Sequence, residues 1–125
     1  MRYELHHVSI PVMPGQLDAG RDFYSRVMGL EEIPAPDEFA PGRVVWFQLG
    51  DRELHLFNEA DANQPQSERH LALMVDDLEA VRARLSEHGV AIEEADPIHN
   101  RPRFFTRDPF GNKLELTEIR GPYRE

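Results

Sequence analysis

Apolar and polar positions alternate through HVSIPV, residues 7 to 12, so that Val8, Ile10 and Val12 share one face of a strand while His7, Ser9 and Pro11 share the other. The alternation returns, headed by the same residue, in HLALMV from position 70, where Leu71, Leu73 and Val75 take the places of Val8, Ile10 and Val12. A helical period follows each strand: Leu17, Phe23, Tyr24, Val27 and Met28 in the first half, Leu78, Val81 and Leu85 in the second. Gly29 and Gly89 stand where a left-handed C-terminal cap belongs, and Asp76 with Glu79 predicts a capping-box start for the second helix. Extended stretches, LEEIPAPD and VAIEEADP, come next. Each half then closes with two strands around a tight turn: GRVVWFQL and ELHLF in the first, RPRFFTRD and KLELTE in the second, where Pro109 and Gly111 supply a fixed negative and a free positive backbone angle.

Laying one half over the other sets Leu54, His55 and Leu56 on Leu114, Glu115 and Leu116. The pattern therefore predicts an α+β chain of two tandem βαβββ modules, 1–58 and 69–125, joined by a polar linker at 59–68.

Composition narrows what such a chain does. At 125 residues it is about one domain long, and 23 Asp and Glu against 14 Lys and Arg give a formal charge of -9, which repels nucleic acid and anionic membrane surfaces. There is no cysteine, hence no disulfide scaffold and no thiolate chemistry. MRYELHHVSI lacks the apolar stretch of a signal peptide, and no run approaches the roughly 18 apolar residues of a membrane span, so a cytoplasmic protein with a small-molecule partner is expected.

The leucines, isoleucine and valines must face the helices, where apolar cover exists. The other face of each half then carries an ionisable side chain at its first strand and another near its last: His7 and His55, then His70 and Glu115. If the modules set these faces toward a common centre, three imidazoles and a carboxylate form the ligand set of a divalent first-row transition metal, without the thiolates of a structural zinc site. Four protein ligands leave two positions of an octahedral metal open, enough for a substrate chelating through two adjacent oxygens. His55 is read either as a ligand or as a solvent-facing neighbour of the site. His6, opposite His7, is read as structural or solvated, and His88 as a solvated helix cap. His99, in DPIHNRPRFF, lies near Arg101 and Arg103 in a loop that either binds an acidic or phosphorylated substrate or is simply solvated. Trp46 and Phe105 fall on strands of the ligand face, as its apolar walls or as core.

The segments LHHVSIPV, LDAGRDFYSRVMGL, RHLALMVDDLEAVRARLSEHGV and FFTRDPFGNKLELTE resemble the vicinal oxygen chelate superfamily, which includes glyoxalase I, methylmalonyl-CoA epimerase, fosfomycin-resistance thiol transferases, extradiol dioxygenases and bleomycin-binding proteins. The resemblance covers nearly the whole chain, and its most specific parts are Phe23, Tyr24, Gly29 and Leu30 and the DPFGNKLEL hairpin. It implies two modules forming an open eight-stranded, cup-shaped sheet, with His7, His70 and Glu115 as metal ligands and His55 at the family's variable fourth position. It also implies a homodimer and one divalent metal (Ni, Co, Mn, Fe or Zn). The activity implied is glyoxalase-like lyase, isomerase or transferase chemistry through an enediolate-type oxyanion, with Glu115 moving the proton. Trp46, His99, Arg103 and Phe105 are candidate substrate contacts. The alternatives are an Fe(II) extradiol-type ring-cleaving dioxygenase and a non-catalytic drug- or metabolite-binding resistance protein.

Overall fold

The alternation at residues 7 to 12 becomes strand β1 (His7–Val12) in the computed structural model, which describes residues 1–124. Val12 is fully buried, whereas Val8 and Ile10 are half-covered. The predicted first helix is present but changes pitch. It starts as α1 (Leu17–Arg21) and continues as a π-helical segment, Asp22–Val27, in which the N–H of Met28 reaches back to the carbonyl of Phe23 at 2.8 Å. In the wider turn successive side chains lie closer together around the axis. The neighbours Phe23 and Tyr24 are thus both buried, with Tyr24 6.0 Å from the Phe47 ring. Gly29 then takes φ 83°, and the chain runs on as β2 (Glu32–Ile33), β3 (Val44–Leu49) and β4 (Arg52–Asn58), the last two joined through Gly50 at φ 59°.

The second module repeats the order as β5 (His70–Met74), α2 (Leu78–Glu87), β6 (Ile92–Glu94), β7 (Arg103–Arg107) and β8 (Lys113–Thr117). Its glycine cap forms as expected: the N–H of Val90 bonds the carbonyl of Leu85 at 2.9 Å and that of Gly89 bonds Ser86 at 3.0 Å, a Schellman closure. The start of α2 differs from the expectation by one residue. Asp77, not Asp76, caps it by accepting from the N–H of Ala80 at 3.0 Å, and Glu118 from beyond β8 accepts from Leu78 N at 2.7 Å. The long-range carboxylate thus takes an amide that a local capping box would have left to water.

Hydrogen bonding makes two four-stranded sheets with the same topology, β1-β4-β3-β2 and β5-β8-β7-β6, in which β1 runs parallel to β4 and β5 parallel to β8. The chain divides into compact units on either side of the bond between Gln64 and Pro65, and Ala62, within the polar linker, is buried. Each module has its own core: Val45, Phe47, Leu54 and Leu56 with Tyr24 and Val27 in the first, and Phe104, Leu114 and Leu116 with Leu78 and Leu85 in the second. Among the described residues no helix is long and apolar enough to cross a membrane.

Register carries the repeat down to single residues. Ser9 pairs with His55 and Trp46 with His55; in the second sheet Ala72 pairs with Glu115 and Phe105 with Glu115. His55 and Glu115 are therefore equivalent positions, as are Trp46 and Phe105. Because strand neighbours alternate faces, the flanking leucines enter the cores and these four side chains share the opposite faces.

Candidate functional site

In the first module β4 carries His55 into a stack. Its ring lies 3.7 Å from Trp46 at 3° and 4.1 Å from His7 at 20°, and the residue is buried. The stacking leaves ring edges, rather than faces, for polar contacts. Nε2 lies 2.9 Å from Oε1 of Glu53, so the tautomer that satisfies both groups donates Nε2–H to the carboxylate and leaves a lone pair on Nδ1. Burial pushes the His55 pKa down, against the opposing pull of Glu53, which keeps the ring neutral and fit to ligate. His7 approaches His6 through their Nδ1 atoms at 2.9 Å. His6, His7, His55 and Trp46, with Phe39 and Arg43 among other residues, line a cavity of about 480 Å³.

In the second module β5 and β8 bring His70 and Glu115 together, with Nε2 3.2 Å from Oε1. The other ring nitrogen of His70, Nδ1, lies 3.0 Å from the carbonyl oxygen of Glu68. A carbonyl only accepts, so Nδ1 carries its proton toward Glu68 and Nε2 is the ring atom that faces the carboxylate. This donor arrangement fits a divalent metal, since a ligating imidazole commonly fixes its tautomer through just such a backbone carbonyl.

Around this pair stand three further groups. Arg103 Nη1 lies 3.4 Å from the same Glu115 oxygen, Phe105 meets His70 edge to face at 5.4 Å, and the buried Lys113 sets its Nζ 4.2 Å from the centre of the Phe105 ring. Lys113 also bonds Glu68 Oε2 at 2.5 Å, and this contact holds the Glu68 carboxyl below its usual range. Nε of Arg103 is buried with no hydrogen-bond partner.

Of the side chains expected from sequence, the structure thus pairs His7 with His55 and His70 with Glu115, sets Trp46 against His55, and sets Arg103 and Phe105 beside the second pair. His99 is exposed on the turn at 98–101. Within neither module, among the described residues, do three His, Asp or Glu side chains gather into a group able to hold an ion. Four contributors were missed. Alternation extended past the strand puts His6 opposite His7, but β1 begins only at His7 and the two rings meet through Nδ1. Glu53 and Lys113 lie two residues before His55 and Glu115, on the same faces, and the period of two was signal enough to find them. Glu68 acts on His70 through its carbonyl, which no side-chain pattern reveals.

The sequence profile of the Glyoxalase/Bleomycin resistance protein/Dioxygenase superfamily matches residues 4–116. Among solved structures, a glyoxalase family protein from Bacillus anthracis is 30% identical, with a TM-score of 0.84 over 95% of this chain and 99% of that one. Lactoylglutathione lyase from Agrobacterium tumefaciens is 26% identical, with a TM-score of 0.73 over 94% and 95%. TnmS3, an antibiotic-binding protein from Streptomyces sp. CB03234, is 27% identical, with a TM-score of 0.77 over 94% and 97%. No protein of curated function matches the sequence.

Proposed function

The chain belongs to the glyoxalase/bleomycin resistance protein/dioxygenase superfamily, and from that premise we propose that it is a metal-dependent enzyme of the vicinal oxygen chelate type, acting on a small substrate held through two adjacent oxygens. His70 and Glu115 are the metal's ligands in the second module, and His7 and His55 are the corresponding pair in the first. The reading is carried by the facing of His70 Nε2 and Glu115 Oε1 at 3.2 Å with Nδ1 already committed to the Glu68 carbonyl. A divalent metal, when bound, supplies Lewis acidity to the substrate oxygens. Glu115 is the group that would move a proton from the carbon beside the substrate carbonyl, provided it is free of the metal at that point. Arg103, 3.4 Å from Oε1, steadies the carboxylate when it is ionised, and Trp46 and Phe105 exclude water beside the ligands.

A second reading, sequestration of a drug or metabolite without turnover, is favoured by one observation: Trp46 and Phe39 meet edge to face at 5.9 Å in the wall of the first module's cavity, which suits a planar ligand. Ring-cleaving oxygenation at Fe(II) is the third. It needs a position for oxygen that His55 takes up when it ligates. We also propose a homodimer, because each sheet ends in edge strands that proteins normally cover.

The test is the metal content of protein purified without chelator. Glu115→Ala and His70→Ala should each lower it strongly and His55→Ala less; full metal in both of the first two variants overturns the assignment. Oxygen uptake with a panel of catechols on Fe(II)-loaded protein separates the enzyme readings, since rapid uptake with ring opening would establish the dioxygenase.

A further inference from the structure

The second module contains a cavity of about 380 Å³ between the first turn of α2, the loop at 95–103 and Arg120, and its lining includes Arg82, Arg101, Arg103 and Arg120. Four arginines thus line one cavity, with Glu79 and Asp96 as the acids among the lining residues, in a chain whose formal charge is -9. They differ in how their charge is met. Arg82 is paired with Glu79 and Glu94, and Arg120 with Glu118. Arg101 has only neutral partners: Nη1 donates to the carbonyls of Asn100 at 2.8 Å and Gly121 at 2.6 Å, its guanidinium lies 4.0 Å from the Tyr123 ring centre, and it makes no ion pair among the described residues. These contacts hold the guanidinium in place without neutralising it, as binding an oxyanion requires. Arg103 belongs to two places at once, since it lines the cavity, donates to the Asp96 carbonyl at 3.1 Å and reaches Glu115 at 3.4 Å.

We propose that this cavity is an anion subsite, which takes a carboxylate or phosphate group of the substrate through Arg101 and through Arg103, the residue that also reaches Glu115. The inference rests on the proposed function and narrows its substrate to an acidic small molecule. The cavity is large enough for a phosphate and several waters, each water occupying about 30 Å³. The frame is fixed by the chain's last segment: Arg120 N bonds the Asn100 carbonyl at 3.0 Å and Asn100 Nδ2 bonds the Pro122 carbonyl at 2.8 Å. The loop that carries the two arginines is thus tied down before any ligand arrives.

The subsite is tested without metal or turnover. Amide resonances of the full chain, dialysed against EDTA, are followed while inorganic phosphate or succinate replaces chloride at constant ionic strength. Saturable shifts confined to 78–79, 95–103 and 120 are expected for at least one anion, and the anion that saturates names the group. Arg101→Met and Arg103→Met should each weaken that binding tenfold or more, while Arg26→Gln, in the other module, leaves it unchanged. If Arg101→Met loses its native spectrum, Arg120→Gln serves in its place with a smaller loss, about threefold. Shifts that never saturate, or equal affinity in the folded variants, overturn the proposal. Because the protein is metal-free throughout, failure here leaves the metal assignment standing, and failure of the metal assignment leaves this binding measurable.

Discussion

Trp46 and His55 lie ring on ring, 3.7 Å apart and 3° from parallel. Trp46 is the only tryptophan in the chain, so its fluorescence reports on the stack that holds His55. If His55 ligates, Co(II) or Ni(II) should quench the emission saturably near one equivalent, and His55→Gln should remove most of the quenching. Unchanged emission on loading, with metal content confirmed, would take His55 out of the ligand set.

Glu68 serves His70 through its backbone and Lys113 through its side chain. The two roles separate by mutation: Glu68→Gln keeps the carbonyl that fixes the His70 tautomer, so metal affinity should change less than threefold. Loss of an ordered His70, by contrast, costs about tenfold or more. Competition with a chromogenic chelator gives both values.

Acid should weaken the fold partly through Glu118. Its carboxylate accepts from Leu78 N and from Arg120, and these contacts hold its pKa below the ordinary value. A carboxyl depressed in the folded state contributes stability that is present above its unfolded pKa and is lost as pH falls through the folded one. Glu118→Gln should therefore be less stable than the parent at pH 7, and the gap should close below about pH 4, near the ordinary range of a glutamate. Urea midpoints across that range test the sign.

Leu114 is fully buried, and Leu116, two residues on and on the same face, is buried with it. Leu114→Ala should cost about 2–5 kcal/mol by lost burial and cavity formation. The exposed Met74→Ala should stay within about 0.5 kcal/mol. Light scattering at micromolar concentration tests the homodimer, and a monomer there would remove it.

The repeated βαβββ order was legible because its signals are local: alternation in β1 and β5, the glycines after each helix, and the Pro109 and Gly111 turn. The face shared by His55 and Trp46, and by Glu115 and Phe105, followed from counting by twos. What stayed hidden depends on distant groups. The π-helical widening at Asp22–Val27 answers to the demand of two adjacent aromatic rings for one core, and the capping of Leu78 comes from Glu118, 40 positions away. Counting by twos puts Lys113 on the face of Glu115, but its burial shows only where Glu68 and the Phe105 ring meet it.

The turn that joins β7 to β8 is fixed by one buried carboxylate: Asp108 Oδ1 accepts from Phe110 N at 2.9 Å and from Asn112 N at 3.0 Å, and its backbone N–H bonds the Asn112 carbonyl at 3.0 Å. From there to Glu115 the chain is strand, so the carboxylate's direction is a matter of parity. One residue added or removed between Asn112 and Glu115 would send Glu115 into the core and bring Leu114 or Leu116 out to face His70, exchanging an acid for a hydrocarbon without altering composition elsewhere. Length in that hairpin is therefore under tighter constraint than the identity of most residues within it, and insertions should be tolerated at 59–64 far better than there.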